Sequence, residues 1–130
     1  MTKINYFEEI EAWKYARVLS QKIYNITRTG SFSRDFGLKD QIRRAAVSVS
    51  SNIAEGFERN SKNEFLYFLS IAKGSGGEVK SLLYIALDEG YISQSSFDDI
   101  AGLVDKTNRL IGGLMRYLKK SEIKGSRYKK

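Results

Sequence analysis

The chain has no cysteine, no histidine and no proline among its 130 residues. Without cysteine there is no disulfide to mark an oxidising compartment. Thiol nucleophiles, imidazole bases and Cys/His metal sites are excluded by counting, as is a di-metal bundle built on Glu-x-x-His pairs. Without proline nothing interrupts a long helix. No apolar run approaches the roughly 18–20 residues that a membrane span needs. The start, Met1-Thr2-Lys3-Ile4-Asn5, has no apolar stretch behind it, so no signal peptide is expected and the cytoplasm is the expected location.

What is present is charge, unevenly placed. The 22 basic residues outnumber the 15 acidic by seven. Between residues 116 and 130 lie seven cations (Arg116, Lys119, Lys120, Lys124, Arg127, Lys129, Lys130) and one acid, Glu122, a net of +6. The preceding 115 residues hold 15 basic and 14 acidic side chains, a net of +1. A nearly neutral body therefore ends in a basic segment. With 42% apolar residues the chain can bury one core as one domain.

Four segments show helical periodicity and none shows sustained strand alternation. The first, about 8–29, carries Ile10, Trp13, Ala16, Leu19, Ile23 and Ile26 on one face, and Thr29-Gly30-Ser31 reads as its stop. The second, about 36–60, carries Leu38, Ile42, Ala45, Ala46, Val49 and Ile53. Ser61-Lys62-Asn63-Glu64 reads as a capping box opening a third helix, about 62–89, with Phe65, Phe68, Leu69, Ala72, Val79, Leu82, Leu83 and Ala86 on its apolar face and Gly90 after its end. The fourth, about 95–120, starts near Ser95 with Asp98 as a looser cap. Its seam, Phe97, Ile100, Val104, Thr107, Ile111, Leu114 and Leu118, steps alternately by three and four. The polar, basic residues 121–130 are expected to form a flexible tail. Helices of this length joined by short turns imply an all-α, antiparallel up-down-up-down four-helix bundle over residues 1–120.

The second helix points to partners. Ala45 to Ala54 is free of charge, and with Ala45, Val49 and Ile53 turned to the core, Val47, Ser50 and Ala54 face outward. Such a surface either simply favours helix or lets another backbone approach; the stronger reading is a subunit contact, making a homo-oligomer. Beside the core stripe, Gln41, Arg44, Ser48, Asn52, Glu55 and Arg59 form a polar one, with Glu55 and Arg59 spaced for an ion pair. It either orders a boundary between helices or subunits, or lines a binding groove. Gly74-Ser75-Gly76-Gly77 lacks the preceding strand and the Lys-Ser/Thr ending of a phosphate loop, which leaves close packing or a kink; Gly112-Gly113 reads likewise.

Over Gln41-Ile42-Arg43-Arg44-Ala45-Ala46-Val47-Ser48-Val49-Ser50-Ser51-Asn52-Ile53-Ala54-Glu55-Gly56 the chain closely resembles the bacterial four-helix-bundle proteins encoded in intervening sequences of 23S ribosomal RNA genes. Phe7 with Trp13, Phe36-Gly37-Leu38, Glu64-Phe65, Ile71-Ala72-Lys73-Gly74-Ser75, Glu78 and Gly90-Tyr91-Ile92 extend the likeness, whereas Gly76 and Gly77 depart from it. The resemblance implies a left-handed bundle assembling as a homopentamer. It also implies likeness to the accessory protein of diversity-generating retroelements, a basic pentamer that associates with reverse transcriptase and nucleic acid.

The function expected on these grounds is nucleic-acid binding by a homo-oligomer, with RNA favoured by the resemblance. Arg43, Arg116, Lys119, Lys120, Lys124, Arg127, Lys129 and Lys130 would contact phosphates. Lys106 and Arg109 would extend the surface, and Tyr117 and Tyr128 would stack on bases. The alternative is an oligomeric scaffold for a protein partner. No catalytic residue, metal or cofactor is expected, because the available carboxylates are not paired across a recognisable site.

Overall fold

Each helix is bounded by local chemistry. The computed structural model describes residues 4–121. A 3-10 turn at Phe7–Glu9 leads into Ile10, whose extended backbone and 3% exposure place it in the core ahead of the first helix. That helix, α1, runs over Glu11–Ile26, shorter at both ends than its periodicity suggests. At its end the buried Thr27 hydroxyl donates to the Ile23 and Tyr24 carbonyls, at 2.7 and 3.2 Å; the Ile23 carbonyl also accepts the Thr27 N–H, whereas the Tyr24 carbonyl is one that a further turn would have used. Gly30, at φ 70° and ψ −165°, adopts a conformation essentially reserved for glycine. It opens a second 3-10 turn, Ser31–Arg34, which buries Phe32.

α2 spans Phe36–Glu58, with the Asp35 carboxylate accepting from the Leu38 N–H at 3.1 Å. Asn60, at φ 56°, turns the chain out of it. α3 spans Lys62–Asp88. The Ser61 hydroxyl accepts from the Glu64 N–H at 3.3 Å, while the Glu64 carboxylate turns to Arg59 at 3.5 Å. The Gly90 N–H donates to the Leu87 carbonyl and the Tyr91 N–H to that of Ala86, and the left-handed Gly90 closes α3 in a Schellman turn. α4 spans Gln94–Lys120, one residue earlier than the sequence suggests. Ser93, not Ser95, caps it through the Ser96 N–H, at 3.1 Å, and Asp98 instead accepts from the Gln94 amide.

The helices pack α1 on α2, α2 on α3, α3 on α4 and α4 on α1. Leu19, Ile23, Ile42, Val49, Ile53, Leu69, Leu83, Ile111 and Leu118 are completely buried between them. Truncating any one of the leucines or isoleucines to Ala is expected to cost ~2–5 kcal/mol, lost transfer energy plus a cavity. Phe68 departs from the expected core face: it is only partly buried, and the Arg59 guanidinium lies 4.8 Å from its ring centroid. α3 continues unbroken through its glycine cluster. Gly76 is buried there, and a Cβ on it would come within 2.5 Å of Asn108 Oδ1, so this glycine serves close packing. Among the described residues there is no strand, and no helix is long and apolar enough to cross a membrane.

Candidate nucleic-acid interface

The polar stripe of α2 is turned toward α3. Gln41 Nε2 donates to Glu78 Oε2 at 3.4 Å, and the Ser48 and Ser75 hydroxyls lie 2.8 Å apart. Asn52 Nδ2 donates to both the carbonyl and the hydroxyl of Ser48, each at 2.8 Å. Glu55 pairs with Arg59 at 2.8 Å, and Arg59 continues to Glu64 on α3. Next along the chain, a Cβ on Gly56 would sit 2.8 Å from Phe68 Cβ and 3.0 Å from Phe65 Cδ1. Here α2 and α3 approach as closely as the missing side chain allows. These groups are spent on one another within the chain.

Arg44 is not part of that network. With Tyr24, Asp40, Arg43, Val47, Ser48 and Ser51 it lines an open hollow of about 520 Å³ on the outer side of α2. Val47 is 42% exposed there, much as Val18 is on α1 at 40%. Ser50 and Ala54 are half-buried, and the Ser50 hydroxyl donates back to the Val47 carbonyl at 3.2 Å. Arg43, placed by sequence among the phosphate-binding residues, is committed locally: its Nε donates to Thr27 Oγ1 at 2.8 Å and its guanidinium lies 4.3 Å from the Tyr24 ring centroid. It ties the end of α1 to α2.

Cations gather at the end of α4. Arg116, Lys119 and Lys120 are exposed on its last two turns, where positive charge complements the helix carbonyl end. The end of α4 is tied to the start of α3 by Lys62, whose Nζ donates to the Ser121 carbonyl at 2.9 Å. Arg116 folds back over the Gly112-Gly113 pair: a Cβ at those positions would lie 3.6 and 3.8 Å from its guanidinium nitrogens. Lys124, Arg127, Tyr128, Lys129 and Lys130, with the proposed tail itself, lie outside the described residues. Lys106 stands 5.5 Å from the Tyr15 ring centroid, facing α1. Lys73, which sequence reasoning passed over, is exposed on α3 beside Asn108, whose Nδ2 donates to the Lys73 carbonyl at 3.2 Å. Only the register between α3 and α4 reveals that neighbourhood; 35 residues separate the two in sequence.

Residues 8–113 match the family described as 23S rRNA-intervening sequence protein. Among solved structures, a protein of unknown function from the S23 ribosomal protein family of Bacteroides thetaiotaomicron is similar. It shares 21% identity and a TM-score of 0.75, over 81% of this chain and 95% of its own, a likeness of fold. No curated protein matches the chain.

Proposed function

The chain belongs to the 23S rRNA-intervening sequence protein family, and we propose that it is a non-enzymatic, cytoplasmic, homo-oligomeric nucleic-acid-binding protein. In this reading the bundle is antiparallel and left-handed, five copies assemble, and RNA is the preferred ligand. Contacts between helices favour the antiparallel part: Gln41 meets Glu78, Ser48 meets Ser75 and Phe57 meets Phe65, so numbers rise on α2 as they fall on α3. The exposed Val47 and the small side chains around it favour assembly.

One observation carries the binding: Arg116, Lys119 and Lys120 stand exposed at one end of the bundle, with no ion-pair partner among the described residues, at the start of a segment with a net charge of +6. Phosphate contacts need cations rather than a sequence-specific geometry. An oligomer repeats the cationic end on each copy and gains avidity. The test is to delete residues 119–130 and titrate a labelled RNA against both proteins at several salt concentrations. The expected result is salt-dependent binding by the full chain and a weaker, less salt-dependent binding by the truncated one. Absence of salt-dependent binding by the full chain would end this reading, and equal binding by both would end the assignment to the tail.

A second reading, an oligomeric scaffold for a protein partner, is favoured by the exposed large apolar side chains of α3, Tyr67 at 62%, Tyr84 at 51% and Ile85 at 46%. It predicts that the truncated protein keeps its full partner affinity.

A further inference from the structure

Between α3 and α4 runs an open groove of about 410 Å³, lined by Lys73, Asp105, Asn108, Arg109, Gly112 and Arg116. Its one acid is already occupied, because Lys80 Nζ holds both Asp105 oxygens at 3.0 and 3.2 Å. Lys73, Arg109 and Arg116 are exposed and have no ion-pair partner among the described residues. Three cations around one groove repel one another, and a bound polyanion turns that repulsion into attraction.

The groove is also held in shape. Asn108 bridges to the Lys73 carbonyl at 3.2 Å and lies against the bare Cα of Gly76, which holds the α3 backbone at Lys73 to α4, where Arg109 lines the same groove. Arg109 and Arg116 are two helical turns apart on one face of α4, roughly 10 Å along the axis. Between them Gly112 has no side chain to hold the Arg116 guanidinium off, and that guanidinium rests over it. Guanidinium forks match phosphate oxygens in pairs, and the separation of the two arginines reaches more than one phosphate of a chain.

The geometry points to this groove as the seat of the phosphodiester backbone of a single RNA strand, held by Lys73, Arg109 and Arg116. It rests on the nucleic-acid reading above, and moves the main contact from the chain end to the body of the bundle.

The test uses the full chain and a fluorescein-labelled oligouridine, with binding followed by anisotropy at several KCl concentrations. The combined Lys73→Gln, Arg109→Gln and Arg116→Gln variant removes three groove charges. A control with Arg28→Gln, Arg34→Gln and Lys39→Gln removes the same charge between the end of α1 and the start of α2. Each phosphate contact with a single strand contributes ~0.7 to the slope of log K against log salt, so the groove variant is expected to lose about 2 from that slope and the control little. Gly112→Leu changes no charge but displaces the Arg116 guanidinium that rests over this position, and is expected to weaken binding several-fold at a fixed salt concentration.

If wild type binds and the groove variant behaves like its control, the groove is wrong and the broader reading stands. If wild type shows no salt-dependent binding, both fall. Full displacement of the RNA by inorganic phosphate at matched ionic strength would overturn the strand in favour of a single-anion site. Equal competition by an oligoglutamate of the same charge would overturn it in favour of an acidic protein segment.

Discussion

Asp35 does two jobs with two oxygens: one caps α2 at the Leu38 N–H, the other accepts from the Tyr91 hydroxyl at 2.9 Å. The Tyr91 ring stacks on the buried Phe32, with 5.2 Å between centroids, so one residue joins the start of α2, the turn after α3 and the α1–α2 connection. The hydrogen bond to Asp35, then desolvation, then the negative charges of Asp35 and Glu89 raise the Tyr91 pKa above its ordinary value of 10.0. The folded state thus holds this phenolic proton more tightly than the unfolded chain does. The stability it contributes is complete below about pH 10 and is lost as pH rises through the raised pKa. Tyr91→Phe is expected to flatten this alkaline loss, read from urea midpoints between neutral pH and pH 11. An unchanged pH profile would refute the linkage. Asp35→Ala removes the cap as well, and is expected to cost ~1 kcal/mol at neutral pH, measured by the same denaturation.

The glycines of α3 separate by what surrounds them. Nothing lies within 4 Å of a Cβ built at Gly74 or Gly77, whereas at Gly76 it would press on Asn108. Gly74→Ala and Gly77→Ala are therefore expected to stabilise the helix by up to ~1 kcal/mol each, the usual propensity difference. Gly76→Ala is expected to destabilise it, because Asn108 must move and give up its bond to Lys73. Thermal melts of the three variants check the order, and a Gly76→Ala protein as stable as the other two would show that α3 and α4 are not held there. This contrast was not legible in the sequence, where the three glycines look alike. Apolar periodicity did locate the helices, since the α4 seam is buried from Phe97 to Leu118, with only Leu114 partly exposed. Periodicity says which face is polar but not what that face meets. The α2 stripe of Ser48, Asn52, Glu55 and Arg59 admits several readings in sequence; the structure sets Ser75 opposite Ser48 and Glu64 opposite Arg59. Lys73 was invisible for the same reason, as its neighbours come from another helix.

At the scale of the whole molecule, assembly and binding can be pulled apart by charge. Val47 lies exposed on α2 beside Arg44, on the face with the small residues Ser50 and Ala54. In a cyclic oligomer every copy presents the same patch, so one substitution alters every interface at once. Val47→Arg places a long cation beside Arg43 and Arg44, three cations against the single acid Asp40 in that hollow, and burying this excess charge against another copy costs several kcal/mol. Such a protein is expected to scatter light as a folded monomer of 14.8 kDa, and wild type is expected to run as a multiple of that mass. The substitution adds positive charge, so simple electrostatics would tighten RNA binding. If cationic ends act together through assembly, affinity falls instead, on the order of 10²-fold, the avidity that separate copies lose. A monomeric variant that binds RNA as tightly as wild type would mean that one bundle suffices. A variant that still assembles would move the subunit contact off α2, with the exposed Tyr67 and, about five turns on, Tyr84 and Ile85 of α3 the next places to substitute.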